Sequence, residues 1–173
     1  MKRRVVIITW VSWSWKTTLQ NELLNKGWKR PINFTTRKPR SEKELDEYIF
    51  LDENQFLKKL KNWDFLEFTQ YNWNFYWVSA YLPEWDIAIV LDPVWRSMVS
   101  EYFSRKWIEY ELYYLDINSD IQRERLEKRW DSVEDIKKRA NDLKWFSPTN
   151  HCTILDWRTS PTILANLIDN VNI

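Results

Sequence analysis

Residues 4–18 read RVVIITWVSWSWKTT, and the fold turns on how this stretch is understood. Val5 to Thr9 is a continuous β-branched, apolar run, the pattern of a strand buried on both faces. After Lys16-Thr17-Thr18 a helical pattern begins, with Leu19, Leu23 and Leu24 on one face and Lys26-Gly27 to close it. A strand, six residues and then Lys-Thr at the start of a helix is the arrangement of a phosphate-binding loop, G-x-x-x-x-G-K-[ST]. Trp10 and Trp15 stand at the two glycine positions, and a third indole, Trp13, lies between them. Such a loop turns its backbone N–H groups inward to cradle phosphate oxygens. Some of its residues then need positive φ, which glycine adopts freely and a bulky side chain does not. As written, the loop is expected not to hold a nucleoside triphosphate.

Composition sharpens this anomaly. The chain of 173 residues has one glycine and 13 tryptophans. Asn62-Trp63-Asp64, Asn72-Trp73-Asn74, Glu84-Trp85-Asp86, Arg129-Trp130-Asp131 and Asp156-Trp157-Arg158 look like turns in which glycine is the expected residue. Trp107 follows Ser104-Arg105-Lys106 at the end of a helical pattern, where a C-terminal glycine belongs. Trp77 and Trp95 lie beside candidate site residues, whereas Trp28 and Trp145 have ordinary contexts. Restoring glycine at these eleven positions, 10, 13 and 15 included, would bring its share to the usual value of about 7%. The expectation is that a glycine codon has been rendered as tryptophan: some bacterial lineages read UGA as glycine where other translation tables read tryptophan. UGG at codons 10, 13 and 15 would exclude it. The competing reading is a natural Trp-rich surface, as in carbohydrate or peptide binders.

Other function classes recede. Lys and Arg number 26 against 25 Asp and Glu, a net charge of +1, without the basic excess of a bulk nucleic-acid binder. No apolar run approaches the roughly 18 residues of a membrane span, and the N-terminal apolar stretch is too short for a signal peptide. One cysteine, Cys152, fits a reducing compartment and leaves no internal disulfide. His151 and Cys152 lack the further ligands of a zinc site and receive no chemistry.

Downstream, Thr35-Thr36-Arg37-Lys38-Pro39-Arg40 sets two arginines three apart on a segment stiffened by proline, a fork suited to an anion. The chain from 41 to 85 then alternates short strands (47–51, 64–71, 74–79) with one helix (53–61) burying Phe56, Leu57 and Leu60. This block breaks the strand–helix alternation and reads as an insert. DIAIVL (86–91) returns to a core strand ending at Asp92, a carboxylate where open α/β sheets bind ligands. A helix (94–106), a strand (108–116), helices over 120–129 and 133–144, a short strand (152–155) and a closing helix (161–171) follow.

Taken together, TWVSWSWKTT, TTRKPR, EYIF (47–50), FLEF (65–68), NWNFYWVS (72–79), VLD (90–92) and RLEKRW…IKKR (125–139) resemble the guanylate kinase family over nearly the whole chain. The resemblance implies an α/β fold with a P-loop NTPase-type parallel sheet flanked by helices. It implies a single domain, 1–173, with core 1–32, 86–124 and 146–173, a mixed α/β NMP-binding insert at 33–85, and a helical lid at 125–145. It implies transfer of the γ-phosphoryl of ATP to GMP with Mg²⁺, in a cytoplasmic monomer or homodimer without nucleic-acid or membrane partners. Carried across, the phosphate loop is Trp10, Val11, Ser12, Trp13, Ser14, Trp15, Lys16, Thr17 and Thr18, with Lys16 on the β/γ-phosphates and Thr17 on Mg²⁺. Arg37, Arg40, Tyr48 and Tyr76 would grip the GMP phosphate, and Glu67 would accept from the guanine N1 and N2 hydrogens. Asp92 would lie near the metal and acceptor. Arg129 and Arg139 of the lid would neutralise the transferring group, and Asp156 would lie by the adenine. Asn33 and Val78 replace the hydroxyl residues usual near the base, and Asp92-Pro93-Val94 lacks a second Asp. A non-enzymatic interaction module, and a kinase of another nucleotide or of a phosphosugar, are the alternatives.

Overall fold

A computed structural model describes residues 3–9, 16–39, 41–62, 65–71, 73–91, 96–116 and 152–171. Two sheets organise them. In the main sheet β1 (Val5–Thr9) is flanked by β6 (Ile87–Leu91) and β7 (Glu111–Asp116), with β8 (Thr153–Asp156) outside β7. All three pairings are parallel, so the sheet needs cover on both faces, as the uninterrupted apolar character of β1 implies. Alternate residues of β1 feed two cores. Val6 and Ile8 pack with Leu19 and Leu23 of α1 (Lys16–Asn25) and with Leu164, Ala165 and Ile168 of the closing helix α4 (Pro161–Asp169). Val5 and Ile7 pack with Val99 and Phe103 of α3 (Arg96–Arg105).

The second sheet has the order β3-β2-β5-β4: β3 (Tyr48–Phe50), β2 (Asn33–Thr35), β5 (Asn74–Ser79) and β4 (Phe65–Tyr71). β2 runs parallel to β3 and antiparallel to β5. α2 (Glu53–Lys61) starts at a reciprocal cap, in which the Asp52 carboxylate accepts from the Gln55 N–H and the Gln55 side chain accepts from the Asp52 N–H. Its Phe56 covers one face of this sheet with Phe34 and Trp77. Leu66 and Val78 point the other way and join the core beneath β1 and β6.

The elements differ from expectation mainly at their ends. β7 starts at Glu111 rather than residue 108, because its ladder with β1 begins at the Val6–Glu111 pair. Leu57, expected inward, is half exposed; Phe56 alone is fully buried and Leu60 is partly so. A 3-10 turn at Glu42–Asp46 was not foreseen. The expected lid helices lie outside the described residues.

A polar cluster ties the start of β1 to β7 and to the end of α4. Arg4 donates through Nε and Nη2 to the two oxygens of Glu111, both at 2.9 Å, and through Nη2 to the Ile168 carbonyl at 2.8 Å. Its charge thus lies against the carbonyl end of a helix. The Tyr113 hydroxyl donates to Glu111 Oε2 at 2.8 Å. Burial, then this hydrogen bond, pushes the Tyr113 phenol well above its usual value. The folded protein therefore keeps that proton at a pH where the unfolded chain releases it. Its contribution is full below the ordinary tyrosine pKa of about 10 and is lost as pH rises above it. Tyr113→Phe is expected to cost about 1 kcal/mol at pH 7 in urea unfolding, and to flatten the fall in stability of the parent above pH about 10.

Candidate acceptor and phosphate-loop site

The carboxyl ends of the main-sheet strands define one side of the site. β1 ends at Thr9, and Lys16 opens α1 after the six-residue loop 10–15. Trp10, Val11, Ser12, Trp13, Ser14 and Trp15 lie outside the described residues, as do Arg40, Asp92, Arg129 and Arg139. Thr17 and Thr18 are exposed in the first turn of α1. Behind them Gln20, buried, donates to the Ala88 carbonyl at 2.7 Å and locks α1 onto β6. Among the described residues no three His, Cys, Asp or Glu gather to hold a metal ion. An exposed Thr17 hydroxyl fits the alternative, a Mg²⁺ held by one side chain and otherwise by phosphate and water. Asp156, at the end of β8, is held below the usual carboxylate range by its hydrogen bonds with Arg158.

The small sheet carries the candidate acceptor residues in neighbouring register positions. Tyr48 pairs with Asn33, Asn33 with Val78 and Val78 with Glu67, one row across four strands. Two residues along, Phe50, Thr35, Tyr76 and Thr69 make the next row on the same face. The opposite face carries Phe34 and Trp77 against α2. The sequence-predicted acceptor positions Asn33, Tyr48, Tyr76 and Val78 thus share one face by register, and Glu67 is the β4 position paired with Val78. Val78 is buried in the core and offers its methyls to packing.

Arg37 sits just past β2. Its N–H donates to Thr35 Oγ1 (3.1 Å), and that hydroxyl donates to the Phe75 carbonyl (2.8 Å), pinning the segment to β5. The Arg37 guanidinium lies 5.9 Å from the Tyr48 ring and 5.8 Å from the Phe50 ring, on the acceptor face. It donates from Nη1 and Nη2 to Glu44, at 2.9 and 3.1 Å. Burial alone would lower its pKa; the hydrogen bond and charge of Glu44 outweigh this and raise it, so the cation is secure. Burial, then the charge of Glu47, raises the Tyr48 phenol, which stays a neutral donor at pH 7. Glu44 was not singled out in the sequence. It lies seven residues from Arg37 on a 3-10 turn, and no periodicity marks such a pair.

Two of the questioned tryptophans occupy glycine-type backbone. Among the described non-glycine residues, positive φ occurs at Trp73 (63°) and Trp107 (55°). Trp73 lies in the two-residue connection between Tyr71 and Asn74, which pair as the last rung of the β4–β5 hairpin. That is where a type I′ turn takes glycine. At the end of α3 the Ile108 N–H bonds to the Phe103 carbonyl (2.9 Å) and the Trp107 N–H to that of Ser104 (3.2 Å). α1 ends in the same way, with Trp28 N–H to Leu23 O (3.2 Å) and Gly27 N–H to Leu24 O (3.0 Å). Gly27, with φ 98°, is the counterpart of Trp107 in this left-handed cap. Trp73 and Trp107 are 89% and 93% exposed, so their rings bring no packing in return. Trp77, Trp85 and Trp157 make no such backbone demand. Trp77 is buried and stacked on Phe34 at 5.0 Å, with an unpartnered indole N–H. Trp28, by contrast, is an integral core residue whose indole donates to Asp169 Oδ1 at 2.7 Å.

Comparison with known proteins agrees with this geometry. The family model for guanylate kinase matches residues 2–81. A guanylate kinase from Methylobacillus flagellatus is 30% identical over 169 residues, spanning 92% of this chain and 81% of that protein. Among solved structures, guanylate kinase from Anaplasma phagocytophilum superposes with a TM-score of 0.68 at 19% identity, covering 98% of this chain and 84% of its own. A gluconokinase from Sinorhizobium meliloti shares the fold more distantly, with a TM-score of 0.53 at 12% identity and 99% of both chains covered. With a relative 30% identical across 92% of this chain, and the family model matched over residues 2–81, the chain belongs to the guanylate kinase family.

Proposed function

We propose that the functional protein transfers a phosphoryl group from ATP to GMP, and that it does so with glycine at positions 10, 13 and 15. The observation that carries the first part is the sheet face shared by Tyr48, Asn33 and Tyr76, with the Arg37 guanidinium beside Tyr48 and Glu67 one strand away in register. The observation that supports the second is the glycine backbone under Trp73 and Trp107.

The roles follow from charge and donor type. Arg37, a secure cation, and Tyr48, a neutral phenol, bind the acceptor phosphate, joined by Arg40 and Tyr76. Glu67 takes the two guanine donors. Lys16 and the loop N–H groups hold the donor phosphates, and Thr17 holds Mg²⁺, which neutralises phosphate charge when bound. Asp92 would lie near the metal and the acceptor, and Arg129 and Arg139 would neutralise the transferring group. Such chemistry asks for positioning and charge stabilisation rather than a nucleophilic side chain. Three indoles in the loop do not fit the phosphates, so the chain as written is expected to be inactive.

Coupled ADP release with GMP, AMP, UMP and ribose bisphosphate, on the parent chain and on its Trp→Gly counterpart, tests this. GMP is expected to be the fastest acceptor of the glycine form. A glycine form that ignores every acceptor would favour an interaction module, and one faster with another acceptor would move the specificity.

A further inference from the structure

Glu44 grips the Nη1/Nη2 edge of Arg37, while Arg37 Nε is buried without any hydrogen-bond partner. A guanidinium offers two bidentate edges, and the second is Nε with Nη2. Nη1 is also committed to the Lys38 carbonyl, at 2.8 Å. The side chains of Arg37 and Glu44 are only 11% and 19% exposed, so this is a fixed pair rather than a loose surface contact. A buried N–H left unpaired is costly and calls for an acceptor. Tyr76 approaches the same guanidinium, and Tyr48 and Phe50 lie beneath it.

We propose that Glu44 is a positioning residue for the acceptor phosphate: it holds Arg37 by the Nη1/Nη2 end and so fixes where the remaining N–H groups of the guanidinium meet the phosphate. The proposal rests on the acceptor face binding a nucleoside monophosphate. The carboxylate fixes the plane of the fork while the hydroxyl of Thr35 fixes its backbone, so little ordering remains when the phosphate arrives. The opposite possibility is that Glu44 imitates the phosphate and must be displaced by it. The two differ in sign.

Calorimetric titration with GMP and with guanosine, without ATP, separates them and does not depend on the phosphate loop. Glu44→Gln is expected to weaken GMP binding about 10-fold, the loss of roughly one charge-assisted bond, and to leave guanosine unchanged. Glu44→Asp, which keeps the charge on a shorter arm, should recover part of the loss. Tighter GMP binding by Glu44→Gln, unchanged GMP binding, or equal weakening of GMP and guanosine would each overturn the proposal. A parent chain that binds no nucleoside monophosphate at all would overturn the functional reading, and the role of Glu44 with it.

Discussion

Glycine at positions 10, 13 and 15 together is expected to raise ATP-dependent turnover with GMP by at least about 10²-fold, the scale of losing a single preorganised N–H donor to developing charge. β1, bracketed by β6 and β7, ends at Thr9, and α1 starts at Lys16. A phosphate-binding loop aims its backbone N–H groups at the bound phosphates. Indoles at three of its positions deny both the left-handed conformations and the close approach of phosphate. The same three substitutions should leave GMP affinity within about 2-fold, because sites with no shared partners behave additively. That difference separates donor-site repair from a general gain in folding. Equal turnover by the two chains would end the glycine reading of this loop.

The second large effect is on stability. Trp73→Gly with Trp107→Gly is expected to stabilise the fold by about 2 kcal/mol in total. A left-handed conformation costs a non-glycine residue about 1–2 kcal/mol, and the greater freedom of unfolded glycine offsets part of each gain. Two residues at 89% and 93% exposure have almost no packing to lose. For a chain of this length that corresponds to a rise in Tm of roughly 4–8 °C, measurable by calorimetry. Gly27→Ala supplies the converse, a loss of about 1 kcal/mol at the matching cap of α1. Trp77→Gly is the contrasting case: its ring fills the space between Phe34 and Phe56, so its removal takes away contacts that the exposed rings do not make. If Trp73→Gly and Trp107→Gly lower the melting point, the backbone argument is wrong.

Much of this was legible in the chain itself because it depends on local pattern. The four apolar residues of β1 with Thr9, the Lys16-Thr17 start of α1, the closing Gly27 and the turn between β4 and β5 are all short-range signals. What was not legible depends on partners far away in sequence. The start of β7 follows from the β1 ladder, not from Ile108 to Tyr110. Leu57 loses its expected burial because α2 meets a narrow sheet face that Phe56 already occupies. The row Tyr48, Asn33, Val78 and Glu67 exists only through two antiparallel pairings and one parallel one. Glu44 acquires meaning only once a 3-10 turn brings it to Arg37.

The order of the strands bears on synthesis. The small sheet uses residues from one continuous stretch, 33–79, and can assemble as soon as that stretch clears the ribosome. The central strand of the main sheet leaves first but waits for neighbours that begin at residues 87 and 111, and the edge strand follows at 153. A nascent chain therefore carries Val5, Val6, Ile7 and Ile8 of β1 without their sheet neighbours until residues 87 and 111 have emerged, the interval in which a chaperone or an aggregation partner would find them.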